Sequence, residues 1–592
     1  MRSYGETLEF RNFVIIVALF TISISLWFFT AGMVKISEFP PNAFFYLNNL
    51  PFEYWLGLIA TLALFGVRGF VRDRARTVLE LSTLFLLCMY LFGLSSFVFQ
   101  NPWFLDTYQH EGNALALLNS GGWYNGPVWY VYQFPGTYTF FAELTAVAGI
   151  DPFQLMKYYP TGLSLVVALL LYSTVRSYSQ RYAFVSSAFI LSGLWFQLHL
   201  SPQSLELIPY IGLLFLLIKI IDDKPHRTRW MLIAVSITPI LVLDHPETPL
   251  VLSLGLTALF VLQALFSPER IRAVRSSLRA VGPNFLVLVI VTFVWWTVMA
   301  SGALSVVMSI VNGAIAAGIG GLTRSPQNIP TTPAASYSVT ILLQEGISAL
   351  VWLIGLSVLV FIRRFQFRDY LLGGLFLAAV STIPVALFGN ADVLQRSYLF
   401  ALFPCGLLLA SLMERRNILR LKGRELIPLL GKGLILLIVL FSITMPLSRF
   451  GLVSFSYLTQ SSLIASDASA PLTTSHSILL LHPGWYGWRY YAPFDGYEGA
   501  LLLEQKNITG LLGGFVKINS ESEYNLTYSR ADNTSDYVLI PDFFQNLYIL
   551  RFGSNSTSYV DQKIAFENNV SMNFNLVYST GTDRLYENRN LG

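Results

Sequence analysis

Three ionisable side chains, Asp106, His110 and Glu111, fall within six residues of one another in the stretch PWFLDTYQHEGNALALLNSGGW (102–123). An apolar run ends just before it, and Trp103 and Trp123 flank the acids and the imidazole. Charge at a membrane boundary is costly unless it is solvated or used. A carboxylate beside an imidazole is suited to taking a proton as a general base. Each residue also has a plainer use. Aspartate is a favoured N-cap, and Asp106 stands where a helix over about 106–119 would begin, with His110 and Glu111 on its solvated face.

Polar groups gather at three further places in a chain that is otherwise apolar. His199 precedes SPQSLE, which supplies Gln203 and Glu206; DHPET (244–248) supplies Asp244, His245 and Glu247; FGNADVLQR (388–396) supplies Arg396. A lone arginine near acids is suited to holding a phosphate bidentately. The plainer readings are that Arg396 pairs with Asp392 one helical turn away, and that His199 and His245 are satisfied by backbone carbonyls at helix ends. Glu206 is expected a turn inside an apolar span and is harder to account for without a use. The run WYGWRYY (485–491) reads as aromatic packing, with stacking on a sugar as its second use.

The elements that position these residues are membrane helices. Of 592 residues, 54% are hydrophobic and 12% charged, where soluble domains carry roughly 25% charged residues. The net charge of +4 resides in clusters and gives no sign of nucleic-acid binding. Cys88 and Cys405 both lie in apolar spans, which excludes a disulfide framework or a metal-thiolate site. The first apolar run, FVIIVALFTISISLWFFTAGMV, is long enough to span and is followed by no small-residue cleavage site, so it reads as an anchor.

The fold class expected is mainly α, a polytopic transmembrane bundle of about thirteen spans, near 12–32, 52–70, 77–99, 158–176, 182–200, 204–221, 230–243, 249–266, 283–303, 340–362, 369–388, 397–413 and 427–447. One set of connecting loops is rich in arginine, for example Arg72, Arg74 and Arg76, Arg270 to Arg279, and Arg415 to Arg424. The other set is aromatic and nearly free of cations. Positive charge stays on the cytoplasmic side. The N-terminus is therefore expected inside, and the loops holding Asp106, His199, His245 and Arg396 outside. Five of the six histidines fall on that outer side, His226 being the exception.

From 448 onward no spanning run remains. SILLLHP, DYVLIP and LVYSTGTDRLYEN read as strands and turns of a small α/β or β-rich domain. Five Asn-x-Ser/Thr sequons, at Asn507, Asn525, Asn533, Asn555 and Asn569, fall in this segment and none in the spans, in agreement with an extracytoplasmic placement. The expected division is a two-span region 1–76, a membrane module 77–447 with an outer loop 100–157, and a C-terminal domain 448–592.

A basic cytoplasmic end, an apolar span and then an outer loop with an early aspartate resemble the C-type (GT-C) membrane glycosyltransferases. VYQFPGTYTFFAEL (131–144) looks like the juxtamembrane helix of that superfamily. HLSPQSLELIPYIGLLFLL, LDHPETPL and QRSYLFALFPCGLLLA are similar to blocks in prokaryotic, often archaeal, members. The resemblance covers about 77–447. It implies a polyprenyl-phosphate sugar donor, no cofactor, and a lipid-linked glycan, protein or envelope polymer as acceptor. It implies inversion with Asp106 as the base, with His110 and Glu111 beside it. Arg396 then meets the donor phosphate, and His199, Gln203, Glu206, His245 and Glu247 contact substrate. No Asp-x-Asp stands in the loop, so no metal is expected and activity should survive a chelator. No WWDYG-like block occurs in 448–592, which does not point to a sequon-reading acceptor role. Two spans, 12–32 and 52–70, precede the catalytic loop where many members have one.

Two other classes fit the gross pattern. A secondary transporter should show repeats, broken helices and polar groups at the bilayer midplane, and here they concentrate at the outer ends. A polysaccharide polymerase or ligase would normally place its site in a late outer loop such as 304–337.

Overall fold

The structure, a computed structural model, describes residues 2–37, 40, 42–67, 73–119, 121, 133–196, 198–302, 304–305, 307–308, 312, 335–362, 365–384, 391–415, 420–421, 424–425, 427–452, 457–469, 478–480, 537–540, 574–579 and 584–588. In chain order its helices are α1 (Arg2–Met33), α2 (Phe45–Asn49), α3 (Phe52–Val67), α4 (Asp73–Cys88), α5 (Leu94–Val98), α6 (Asp106–Asn119), α7 (Gly136–Ala148), α8 (Pro152–Arg176), α9 (Ala183–Gly193) and α10 (Pro202–Leu205). They continue with α11 (Leu207–Asp222), α12 (Arg227–Asp244), α13 (Glu247–Phe266), α14 (Arg270–Val298), α15 (Ala335–Phe361), α16 (Phe367–Ser381), α17 (Ala391–Glu414), α18 (Ile427–Phe450) and α19 (Gln460–Ser469).

Each of the thirteen apolar segments coincides with a helix. Among the described residues nine spans are long and apolar enough to cross a membrane, while α3 and α9 are apolar but shorter. The chain is a multi-pass membrane protein. Phe28, Phe293, Val360 and Leu436 are exposed on helix faces where water would make them costly and lipid does not.

Side-chain pairs define two ends of the bundle. At one end Arg76 pairs with Glu80 at 3.1 Å, Arg176 donates to Thr77 at 2.7 Å and Arg368 pairs with Asp222 at 2.9 Å. Arg415 pairs with the buried Asp369, which also accepts from Ser411 at 2.6 Å. These contacts join the starts of α4 and α16 to the ends of α8, α11 and α17. At the opposite end Ile36, after α1, forms a backbone bridge with Phe99, after α5. There too the start of α13 meets the start of α17 through Glu247 and Arg396. Basic loops cluster at the first end and the candidate site residues at the second.

Two helices approach with no room for a side chain between them. A Cβ on Gly374 of α16 would lie 2.5 Å from the Gly255 carbonyl oxygen and 2.7 Å from the Leu259 nitrogen of α13. Small residues let membrane helices pack backbone to backbone. Between α4 and α5 the helix widens into a π-turn, Met89–Gly93. Side chains from two neighbouring helices reach its carbonyls: the Trp27 indole donates to Met89 at 2.9 Å and the Tyr54 hydroxyl to Tyr90 at 3.3 Å.

Several helix boundaries differ from expectation, among them the starts of α14 and α8 and the end of α9. The α14 helix begins at Arg270, well before 283, so it carries its basic first turns beyond the apolar run. The α8 helix begins at Pro152, before 158, because the Asp151 side chain caps it by accepting from the Gln154 N–H at 2.9 Å. The α9 helix stops at Gly193, short of 200, where the Tyr398 hydroxyl takes the Gly193 carbonyl. That early stop leaves His199 in an irregular segment.

Past a short antiparallel pair, β1 (Arg420–Leu421) with β2 (Arg424–Glu425), the remaining strands are β3 (Ile478–Leu480), β4 (Tyr537–Ile540), β5 (Phe574–Ser579) and β6 (Arg584–Asn588). They form one sheet in the order β3-β4-β6-β5, with β3 parallel to β4 and the other pairs antiparallel. The strands fall in the three segments that read as strands in the sequence. The five sequons, His476, His482 and WYGWRYY (485–491) lie outside the described residues, as does most of 304–337.

Candidate functional site

The α6 and α7 helices pack on each other and on the first turns of α8 over a small core of their own, with Tyr108, Tyr138, Phe141 and Met156 fully buried. This platform fixes Asp106, the first residue of α6. His110, one turn on, shares its face. His110 Nε2 lies 3.1 Å from Asp106 Oδ2, and His110 Nδ1 lies 3.0 Å from the Tyr138 hydroxyl. The carboxylate can only accept, so Nε2–H donates to Asp106, while the Tyr138 hydroxyl can take either role toward Nδ1.

His199 arrives from the irregular segment after α9. Its Nε2 is 3.5 Å from the same Asp106 oxygen. Its ring lies over Phe104 at 4.1 Å and edge-on to Trp103 at 6.2 Å. Both imidazoles thus address Oδ2, and among the described residues Oδ1 meets neither of them. Burial works to raise the Asp106 carboxyl, but the charge and hydrogen bond of His110, with His199 close by, outweigh it and hold the group well below the usual carboxylate range. Burial pushes His199 down despite the pull of Asp106, so its ring stays neutral.

Glu111 is one residue too far round the helix to join this group. It turns toward α7, is fully buried, and accepts from Thr145 at 3.4 Å. Burial pushes its carboxyl up to about 8, the Thr145 hydrogen bond opposing and Asp151 adding to the rise.

Gln203, Glu206, His245, Glu247 and Arg396 form a second group at the same end of the bundle. The Thr248 hydroxyl donates to Glu206 Oε2 at 2.5 Å, and His245 Nδ1 stands 3.6 Å from that oxygen. The Glu247 backbone N–H donates to His245 Nδ1 at 3.3 Å. Arg396 donates to Glu247 Oε1 on α13. Burial pushes His245 well down, reinforced by the charges of Arg396 and His110. The Thr137 hydroxyl of α7 donates to Asp244 Oδ1 at 3.4 Å, which ties the α6–α7 platform to the end of α12 beside His245. Glu206 Oε1 and both polar atoms of Gln203 are buried and have no hydrogen-bond partner among the described residues.

Sequence reasoning missed Arg449, at the end of α18. Its guanidinium is buried over the ring of Trp103 at 4.7 Å and of Phe92, in the π-turn, at 5.2 Å. It donates to the Leu198 carbonyl at 3.2 Å, beside His199, while its Nε and Nη1 have no partner among the described residues. A cation closing the last span at the cation-poor end was the signal that marked it. Tyr138 was also missed; nothing in VYQFPGTYTFFAEL distinguishes it from its aromatic neighbours. Among the described residues no group of three or more His, Cys, Asp and Glu side chains is placed to hold a metal ion.

The sequence matches no protein-family model and no curated protein. Two crystal structures of ArnT from Cupriavidus metallidurans resemble the chain at a TM-score of 0.44. One is bound to undecaprenyl phosphate, at 10% identity, and the other is in the apo state, at 11%. Each comparison covers 87% of this chain and 98% of that chain.

Proposed function

We propose that the protein is an inverting membrane glycosyltransferase of the GT-C type. It transfers a sugar from a polyprenyl-phosphate donor to an acceptor hydroxyl at the outer face of the membrane, with Asp106 as general base. The carrying observation is the aspartate that starts α6 at the cation-poor end, with two imidazoles on one carboxylate oxygen and the other directed elsewhere. A carboxylate held low is ionised at every physiological pH and always ready to accept a proton.

In the step proposed, the acceptor O–H gives its proton to Asp106 Oδ1 while its oxygen attacks the anomeric carbon. The bond from that carbon to the phosphate oxygen breaks, and the phosphate leaves on the lipid with the bonding pair. His110, braced by Tyr138, and His199, braced by Phe104 and the Leu198–Arg449 contact, fix the carboxylate. Arg396 is assigned to the donor phosphate, which would compete with Glu247 for its guanidinium. The unpartnered oxygen of Glu206 and the amide of Gln203 are suited to sugar hydroxyls. Glu111, protonated at neutral pH against α7, leaves the base role to Asp106. A lipid-linked glycan, a protein or an envelope polymer fits as acceptor.

The test is to incubate purified protein with labelled polyprenyl-phosphate sugars and follow release of the lipid phosphate. Asp106→Asn keeps size and capping ability and removes the base, so turnover is expected to fall by about 10²–10⁴-fold with donor binding intact. Normal turnover in Asp106→Asn would overturn the assignment of the base.

A further inference from the structure

Two lysines stand at the end of the bundle that is otherwise poor in cations. Lys35 follows α1, and its Nζ donates to the Ala31 carbonyl at 3.1 Å and the Phe97 carbonyl at 3.0 Å. Lys157, in the second turn of α8, donates to the Gln100 carbonyl at 3.2 Å. Phe97 and Gln100 are three residues apart where α5 ends, so the two ammonium groups meet one short piece of backbone. Among the described residues neither lysine has a carboxylate within ion-pairing distance.

Capping the last carbonyls of α5 explains one lysine. It does not explain a second one set against the first. Like charges held on carbonyls three residues apart repel, and side chains this long have other rotamers open to them.

The surface below the lysines is apolar. Phe97 sits between Trp27 of α1 and Tyr158 of α8, at 5.1 and 5.4 Å, so an aromatic row joins the two helices across α5. The Lys157 ammonium lies 5.9 Å from the Tyr158 ring centre. Phe28, Phe29 and Met33 of α1 are exposed on the lipid-facing surface. Aromatic rings of this kind mark the headgroup level of a bilayer, where long basic side chains reach up from the hydrocarbon.

We infer that Lys35 and Lys157 form a docking site for the phosphate of an anionic lipid in the leaflet at this end of the bundle. The acyl chains would run down the aromatic row while the two ammonium groups share the phosphate. The site needs no sugar transfer to exist. The same segment continues through Asn101 to Trp103 and Asp106, so a lipid held there stands at the edge of the loop that carries the carboxylate.

The test uses the full-length protein, delipidated in detergent and titrated with phosphatidylglycerol or phosphatidylcholine while bound lipid is counted by native mass spectrometry. Each basic residue near a membrane surface favours an anionic lipid by a small, additive amount. The first phosphatidylglycerol is therefore expected to bind about tenfold more tightly than phosphatidylcholine. Lys35→Gln with Lys157→Gln should abolish that preference, and Lys35→Arg with Lys157→Arg should keep it. Thermal unfolding without added lipid shows whether the glutamine variant is folded; if it is not, the single variants Lys35→Gln and Lys157→Gln, each expected to lose part of the preference, decide. An unchanged preference in folded variants would assign anionic-lipid binding to the arginine end and overturn the inference. Full competition by inorganic phosphate would show a site for the free ion and overturn it as well.

Discussion

At the scale of single residues, two carboxylates five positions apart on one helix end in opposite states. Asp106 is held ionised by two imidazoles, and Glu111 is held neutral by burial. For Glu111 the native carboxyl titrates near 8, above the ordinary value of 4.5. The stability this gives is complete below the unfolded value and is lost as pH rises through about 8. Glu111→Gln keeps the acceptor for Thr145 and cannot ionise. The variant is expected to match the native protein near pH 4.5 and to exceed it by roughly 1–3 kcal/mol at pH 9, read as denaturation midpoints in detergent at the two pH values. Its turnover at neutral pH should stay close to native. Parallel pH profiles for the two proteins would show that Glu111 is already ionised in the fold.

Between helices, the backbone-to-backbone contact of α13 with α16 is the place to test. Gly374→Ala puts a methyl group against backbone atoms that cannot rotate away. Overpacking of this kind typically costs about 1–3 kcal/mol, and a lowered thermal midpoint checks it. The start of α13 carries Glu247, so binding of the phosphate donor should weaken alongside. A native midpoint in Gly374→Ala would mean the helices slide apart freely. The elements were largely legible in the sequence because spans are set by bilayer thickness, and the short helix at 106–119 was marked by its aspartate. What was not legible depends on contacts between distant segments. Arg396 reads locally as a partner for Asp392, and no local spacing announces its ion pair with Glu247, 149 residues away. His199 reads as a helix end and becomes an approach to Asp106 only because α9 stops at Gly193. Arg449 joins the site from the far end of the chain, and no local spacing announces it.

At the scale of the whole molecule, the pairing of Arg76, Arg176, Arg368 and Arg415 into one end predicts a single orientation across the membrane. Val147→Cys, exposed on α7, should react with a membrane-impermeant maleimide in intact cells. Lys224→Cys, in the turn between α11 and α12, should react only after the cells are opened. The reverse pattern would invert the map and put Asp106 in the cytoplasm. The order of synthesis adds one more consequence. The loop leading to Asp106 is tied down by Asn101, whose backbone N–H donates to the Tyr457 hydroxyl at 3.1 Å and whose side chain donates to the Leu458 carbonyl at 2.9 Å. Those partners emerge from the ribosome more than 350 residues after Asn101. A nascent chain can therefore insert most of its helices while this loop is still untethered. The tether on Asn101 therefore closes only after α18 has been made, although the contact of Asp106 with His110 forms within α6 itself.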